Sequence, residues 1–172
     1  MEMVVVVLVV AVLVSIAMPS YRWVMTRVKN REAVIAMRTI GCGIELYNLE
    51  NGPLPEEKSN KFDMLDVTVQ NSKNWEYHFH CYDEFKSCFV RANSIREMQE
   101  GDHKYDLQLW IRKGVMGPEI KVKEKTLVSV EQDENGEEIG STWTSGEASE
   151  SVCKQAGGKY IELTDGQVCI LE

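Results

Sequence analysis

The sequence predicts an α+β fold in which a long N-terminal helix precedes a sheet of antiparallel strands. Near the N-terminus, 19 consecutive residues, Met3–Tyr21, carry no charge. Apolar residues then recur every three or four positions up to about residue 50, which is the spacing of one helix face. Beyond residue 75, apolar and polar residues alternate as they do in a half-buried strand. We therefore expect the C-terminal half of the helix to pack on the sheet.

Residues 1–21 are the most apolar part of the chain. As a helix, the 19 residues from Met3 would be about 28 Å long, close to the ~30 Å hydrocarbon thickness of a bilayer. A signal peptide, a membrane anchor and a helix that packs against copies of itself all remain possible. The start Met-Glu-Met lacks the basic residues of a signal peptide, and Ser15-Ile16-Ala17 is only a weak cleavage site. The valine-rich composition, with Glu2 at its start, favours the self-packing helix.

Residues 22–52 extend this helix with an amphipathic pattern. Its apolar side chains fall at spacings of 4, 3, 4 and 3 positions: Ala33, Met37, Ile40, Ile44 and Tyr47. Asn51-Gly52-Pro53 is a strong helix stop. We predict one helix over residues 1–50 that Pro19 interrupts, followed by an αβ loop over residues 53–74.

The head, residues 75–172, begins with three strand patterns. In WEYHFHCY, residues 75–82, apolar and polar side chains alternate, and SCFVRANS, residues 87–94, follows as its hairpin partner. YDLQLWIRK, residues 105–113, predicts a third strand with its apolar side chains inward: Tyr105, Leu107, Leu109 and Ile111. These patterns predict an antiparallel sheet.

The last part of the head predicts shorter elements. EIKVKE and TLVSVEQDENGEEIGST indicate short strands around a turn at Asn135-Gly136. Residues 153–169 are predicted to be a C-terminal loop bounded by cysteines. Within it and just beyond, residues 159–163 and 167–171 could form a hairpin across Thr164-Asp165-Gly166.

The five cysteines divide into two local pairs and a single residue. Cys81 and Cys88 enclose YDEFKS, and Cys153 and Cys169 enclose a glycine-rich stretch. Neither pair has the CxxC spacing of a zinc ribbon or a thioredoxin-like site. With a membrane-directed N-terminus, disulfides in an oxidising compartment are the better interpretation, although spacing alone leaves the connectivity open. The remaining Cys42 is predicted to be a buried free thiol on the helix.

The composition and motifs argue against several classes of function. The net charge of −8 disfavours nucleic-acid binding, since phosphate backbones attract basic surfaces. His78 and His80 lie on one strand face with no cysteine or carboxylate placed to complete a metal site, so we expect surface histidines. The acidic clusters at 131–138 and 147–150 lack EF-hand spacing. The sequence contains no recognisable triad motif, Walker loop or dinucleotide loop. We expect neither an enzyme nor a metal or cofactor.

Three features of the first 55 residues occur together. Glu2 stands 17 positions before Pro19, within Ala-Met-Pro-Ser-Tyr; a basic amphipathic helix follows; and LYNLENGPLP, residues 46–55, ends it. In this combination the segment resembles the N-terminal segment of bacterial type IV pilins and pseudopilins. Members of that family carry a basic leader and a methylated Phe before the glutamate. We therefore expect a few mature residues to precede Met1.

The resemblance implies the type IV pilin fold and a structural subunit of an extracellular pilus. Such a subunit would wait in the bacterial inner membrane until the pilus assembly machinery adds it to a helical homo-oligomer, with residues 1–21 in the filament core. Glu2 would pair with the N-terminal amine of a neighbouring subunit, and Pro19 would loosen the helix. The alternatives are a type II secretion pseudopilin or minor pilin, and a monomeric single-pass membrane-anchored binding module.

Overall fold

The structure is a computed structural model that describes residues 2–69, 72–84, 86–95, 105–132, 138–163 and 166–171. For some of these the description covers the backbone only, namely residues 2, 16–20, 22–23, 126–132, 138–143, 163 and 166. The elements in chain order are α1 Glu2–Asn51, β1 Trp75–Tyr82, β2 Ser87–Ser94, β3 Tyr105–Arg112, β4 Val115–Gln132, β5 Glu138–Glu147, α2 Glu150–Ala156, β6 Lys159–Leu163 and β7 Gly166–Leu171. Two 3₁₀ turns, Glu56–Lys58 and Phe62–Met64, lie in the predicted αβ loop.

The predicted α+β class with an antiparallel sheet is confirmed. In the described residues, seven strands form one sheet. Six of them stand in the order β1-β2-β3-β4-β7-β6, and the seventh, β5, pairs with β4. Every pair is antiparallel. The first four strands lie next to one another in chain order, so the early part of the sheet is a meander.

The predicted single helix over residues 1–50 is confirmed, and the loosening expected at Pro19 stays a prediction. Helical backbone geometry continues from Glu2 to Asn51. A proline removes one backbone N–H, and with it the hydrogen bond to the carbonyl four residues earlier, here Ser15. The flanking turns keep their own hydrogen bonds, so the loss of one bond does not end the helix.

One face of α1 is buried in the core of the head. Its inward side chains are fully buried and belong to the same apolar cluster as the inner side chains of β1, β2 and β3: Ala33, Met37, Ile40 and Ile44. Residues at this spacing lie on one side of a helix, as the sequence predicts. The outer face of the helix keeps Ile35, Leu46 and Leu49 exposed.

The prediction that Cys42 is buried is wrong, because its thiol is exposed. Cys42 lies between Gly41 and Gly43, which are both buried. A helix turns about 100° per residue, so the position between Ile40 and Ile44 points directly away from the core. The two flanking glycines face the head, and the cysteine faces outward.

The first three strands agree with the sequence pattern. In β1 every second side chain is buried, and Tyr105, Leu107, Leu109 and Ile111 of β3 are buried as predicted. Cys81 of β1 lies directly opposite Cys88 of β2, and the two are joined by a disulfide. The second predicted pair is also bonded, since Cys153 and Cys169 form a disulfide with 5.7 Å between their Cα atoms.

The prediction of short strands after residue 118 is only partly right: strands on the two sides of residues 133–137 pair with each other, but EIKVKE and TLVSVEQ are not separate strands. A single strand, β4, covers 18 residues. Its first part pairs with β3 up to Glu124, and its second part pairs with β5 from Lys123 onward. Because these two sets of partners overlap, the backbone stays extended throughout. The predicted turn at Asn135-Gly136 lies outside the described residues.

The prediction that residues 153–169 form a loop is only partly right. Its hairpin is confirmed as β6 and β7, although Thr164 and Asp165 lie outside the described residues. The start of the segment belongs instead to helix α2, which buries Val152, Cys153 and Ala156. Gly157 ends this helix in the left-handed region, at φ 74°, and its N–H donates to the carbonyl of Lys154. The apolar positions are too few for the sequence alone to indicate a helix.

The outward face of the sheet holds a buried charge. Asp106 of β3 is fully buried, its Oδ1 lies 3.1 Å from Lys125 Nζ, and its Oδ2 lies 3.5 Å from Ser145 Oγ. Burial raises the pKa of the Asp106 carboxyl, because the low-dielectric interior penalises the charged form more than the charges of Lys125 and Arg91 favour it. The folded state therefore holds this proton more tightly than the unfolded state.

We predict that Gly43→Ala destabilises the head and Gly146→Ala does not. A Cβ at position 43 would lie 2.9 Å from Val67 Cγ1 and 3.0 Å from the backbone oxygen of Leu65, whereas one at position 146 meets nothing within 4 Å. Overpacking of this kind costs about 1–3 kcal/mol. Urea unfolding of the detergent-solubilised chain measures both variants against the native protein. Equal stability of the two variants would contradict the close contact between α1 and the αβ loop at Leu65 and Val67.

We predict that the stability gap between Asp106→Asn and the native protein depends on pH. The stabilising contribution of Asp106 is complete below its unfolded pKa, near 3.8, and is lost as pH rises through the higher folded pKa. The Asp106→Asn variant has no carboxyl at this position and does not lose this contribution. The difference between its unfolding free energy and that of the native protein should therefore shift in favour of the variant as pH rises from about 4. Urea unfolding over this pH series measures the gap, with the exposed Asp63→Asn as matched control. A gap that stays constant for Asp106→Asn would show that its pKa is not raised.

Candidate assembly surface

The first part of α1 presents apolar side chains to solvent on all sides. We call residues 3–15 the N-terminal apolar segment. Every side chain in it is exposed, with large apolar residues ranging from 47% exposed at Val14 to 85% at Met3. Fully covering a valine or leucine side chain contributes about 1.5–3 kcal/mol. Covering this segment would therefore release far more free energy than the contacts of a typical surface patch.

Exposed apolar residues continue along α1 until the head begins. Val24, Met25 and Val28 are exposed, and the first fully enclosed side chain of the helix is Asn30 among the described residues. The apolar segment is thus separated from the core of the head by about fifteen residues, or about 22 Å of helix. None of its apolar area is used to stabilise the head.

Asn30 fixes the helix where it enters the head. Its Nδ2 donates to the carbonyl of Ala156 at 2.6 Å, and its Oδ1 accepts from the hydroxyl of Tyr105 at 2.9 Å. Beside it, the indole Nε1 of Trp75 donates to the carbonyl of Lys29 at 3.0 Å. These contacts join α1 to α2, β3 and β1 at one point. The direction in which the apolar segment leaves the head depends on them.

The role of Asn30 was missed in the sequence. A polar residue in an amphipathic helix is ordinarily assigned to the solvent face, and its partners lie 75 and 126 positions away. One signal existed, because Asn30 is three positions before Ala33 and thus lies on the buried stripe. A polar residue on that stripe requires buried hydrogen-bond partners.

The two predicted assembly residues lie in the same helix. Glu2 is its first residue and Pro19 lies 17 positions later, a separation of about 26 Å along the axis. Their side chains lie outside the described part, so their roles remain predictions. Near them, the Ser15 hydroxyl donates to the carbonyl of Val12 at 2.7 Å. This local bond satisfies the one polar side chain within the apolar segment.

The predicted disulfides lie in the head, away from the apolar segment. Cys81–Cys88 joins neighbouring strands, and Cys153–Cys169 joins α2 to β7. The disulfides therefore stabilise the head rather than the assembly surface.

His78 and His80 lie on the outward face of β1, 3.4 Å from Glu76 and 3.5 Å from Glu56 respectively. The described residues contain no group of three potential metal ligands.

A comparison of the chain with known families, curated proteins and solved structures finds no match. In the part of the chain that the structure describes, no helix has an apolar stretch long enough to cross a bilayer.

We predict that Asn30→Ala destabilises the junction between α1 and the head. The substitution leaves the buried carbonyl of Ala156 and the Tyr105 hydroxyl without this partner, which costs about 1–3 kcal/mol. Urea unfolding measures the loss, and Asn51→Ala, at the exposed end of the same helix, is the matched control. Asn30→Asp keeps the acceptor for Tyr105 but places a buried carboxylate against the carbonyl of Ala156, so it should not restore native stability. Native stability for Asn30→Ala would show that the junction does not depend on this amide.

Proposed function

We propose that this chain is a structural subunit of an extracellular filament of the type IV pilus kind, assembled by packing of N-terminal helices. The observation that supports this best is the N-terminal apolar segment, which is exposed on all sides, whereas the other half of the same helix buries one face in the head. Large exposed apolar surfaces mark interaction sites. An apolar helix without a polar face needs partners all round it, as it would have at the centre of a filament or in lipid.

Repeated copies of one chain can provide such partners. A heterologous contact, in which different surfaces of two identical subunits meet, generates a helical filament when the rotation does not close. In this proposal the apolar segments form the filament core and the heads form its outer surface. The junction at Asn30 carries the connection between the two layers. The pilin fold is part of this proposal, and the α+β head is compatible with it.

Glu2 provides the selectivity of the contact. A carboxylate among apolar side chains is costly alone but tolerable beside a cation, and in the proposed filament that cation is the N-terminal amine of a neighbouring subunit. Subunits that pack out of register would leave the carboxylate unpaired. Glu2 thus favours one register among the many that a uniform valine-rich surface allows.

The proposed location agrees with the chemistry of the head. Two disulfides persist in an oxidising environment and are rare in the cytosol. Before assembly, the apolar segment would be held in the inner membrane, and assembly would transfer it from lipid to the segments of other subunits. The pilus assembly machinery would drive this step. The filament is a homo-oligomer that needs neither cofactor nor nucleic acid.

We predict that Glu2→Ala prevents filament formation but leaves the subunit in the membrane. Removing one partner of a buried ion pair costs about 3–5 kcal/mol because the other charge stays unpaired. Electron microscopy and immunoblotting of sheared cell-surface material count the filaments, and the membrane fraction is counted separately. Glu50→Ala, which removes an exposed glutamate from the same helix, is the matched control.

Two results would contradict parts of this proposal. Unchanged filament yield for Glu2→Ala would exclude the pairing role of the glutamate while leaving the filament itself intact. If the native chain is found only in the membrane fraction and never in sheared filaments, the filament proposal fails. That second result would favour a monomeric anchored binding module.

A further inference from the structure

We propose that a cavity on the outward face of the head binds a carboxylated saccharide. The cavity has a volume of about 450 Å³ and lies beside the turns that join β1 to β2 and β3 to β4. Five residues line it: Tyr82, Ser87, Trp110, Arg112 and Lys113. Small-molecule sites of 300–1,000 Å³ are typically apolar with a few polar groups, and the residues that line this cavity carry two aromatic rings, two hydroxyls and two cations.

Aromatic rings continue from the cavity across three strands. The ring centroids of Trp110 and Phe89 are 5.4 Å apart, and those of Phe89 and Tyr82 are 6.0 Å apart. All three side chains are partly exposed on the outward face of the sheet. Cross-strand aromatic pairs stabilise sheets, which accounts for the ring contacts. It does not account for the cations that stand beside the rings.

The guanidinium groups are held against this aromatic surface. Arg112 Cζ lies 6.0 Å from the centroid of the Trp110 ring, and Arg91 Cζ lies 5.4 Å from that of Phe89. A guanidinium stacked on a ring keeps the N–H donors along its edge, and this planar fork matches the two oxygens of a carboxylate. Arg112 lies beside the Trp110 ring and lines the cavity, so its guanidinium can donate hydrogen bonds to a carboxylate bound there.

Two lysines extend the basic corner, which we define as Lys86, Arg112 and Lys113. Lys86 and Lys113 both have left-handed backbones, at φ 45° and 52°, and Lys113 N–H donates to the carbonyl of Lys86 at 3.1 Å. The other described non-glycine residues with positive φ are Asn60 and Asp66, types that tolerate this region. Lys113 and Gly114 form the two-residue turn in which Asn-Gly is usual. Basic side chains therefore stand at two positions where the backbone favours other residue types.

The combination of groups selects the class of ligand. The apolar face of a pyranose ring stacks on an aromatic side chain, a carboxylate on the sugar pairs with Arg112 and Lys113, and the Ser87 hydroxyl can bond with sugar hydroxyls. The cavity volume suits one or two sugar residues. A neutral sugar would leave the two cations unused, and a small carboxylate such as acetate would leave the rings uncovered.

Nucleic acid fits this surface less well, although it also offers rings and negative charge. A larger neighbouring cavity, of about 670 Å³, shares Tyr82, Ser87 and Lys113 with the first and includes the carboxylates of Asp83, Glu84 and Glu45 in its lining. A phosphodiester chain leaving the basic corner in that direction would meet these acidic groups. Extended binding of nucleic acid needs a continuous basic track. The short basic corner favours a ligand with a single carboxylate.

Titration followed by NMR tests the proposal on the full chain in a detergent without a sugar head group. The probes are methyl glucuronide, the neutral methyl glucoside, acetate and adenosine monophosphate. We expect methyl glucuronide to shift the Trp110 indole signal and to bind at least about tenfold more tightly than methyl glucoside or acetate, as charge-assisted hydrogen bonds are about twice as strong as neutral ones. Equal affinity for glucuronide and glucoside, or tighter binding of adenosine monophosphate, would overturn the proposal.

Variants locate the site within the head. Arg112→Gln should reduce glucuronide affinity by about tenfold or more, since it removes a charge-assisted pair. Lys121→Gln removes a lysine from the same sheet outside the cavity and should leave affinity unchanged. Trp110→Phe should keep more affinity than Trp110→Leu, because it retains a ring. Glucuronide binding that Arg112→Gln leaves intact would place the ligand elsewhere and overturn the assignment. None of these results depends on filament formation, so the test is independent of the proposed function.

Discussion

Helix α1 packs on the head with one part and extends out of it with the other, and most of the structure depends on the contacts that fix the helix to the head. Its backbone helix continues from Glu2 to Asn51, so the apolar segment and the buried half of the helix are parts of one element. Burial of Met37, Ile40 and Ile44 anchors the element, and Asn30 sets the point at which it emerges.

Close packing of the helix on the sheet imposes the pattern of small residues in its middle. Gly41 and Gly43 allow the backbone to approach Met116, Leu65 and Val67. Because both glycines face the head, the residue between them faces outward, and the exposure of Cys42 follows from the same packing. The carboxylate of Glu45, on the next turn, accepts a hydrogen bond from the backbone N–H of Met116. Helix and sheet are thus joined by backbone contacts as well as by apolar side chains.

The two proposed binding surfaces, the N-terminal apolar segment and the cavity beside the basic corner, lie near opposite ends of the helix. The apolar segment ends at Ser15, and the cavities beside the basic corner lie near Glu45 and Asn48, about 45 Å farther along the axis. An arrangement with the apolar segments at the centre of a filament would keep the basic corner on the head, away from that centre. The same chain could then assemble at one end and bind a ligand at the other without competition between the two surfaces.

Periodicity in the sequence determined the elements whose contacts are local or regular. The buried stripe of α1, the alternation in β1 and the β1–β2 and β6–β7 hairpins were predictable, because the spacing of apolar residues reports them directly. The grouping of four cysteines into two local pairs was also visible, although spacing left their connectivity open. The exposed apolar segment was also evident, since no charge interrupts it. Much of the α+β fold and of the candidate assembly surface could thus be predicted from the order of residue types alone.

Only the tertiary structure decided the features that depend on distant residues. β4 is one strand because β3 and β5 support it in succession, and Asn30 is buried because Ala156 and Tyr105, far away in the chain, provide its hydrogen bonds. The basic corner exists because the turn at Lys86 meets the turn at Lys113. Each of these requires knowing which segments become neighbours in space. A local pattern of residue types does not contain that information, because burial and hydrogen bonding depend on both of the residues that meet and not on either residue alone.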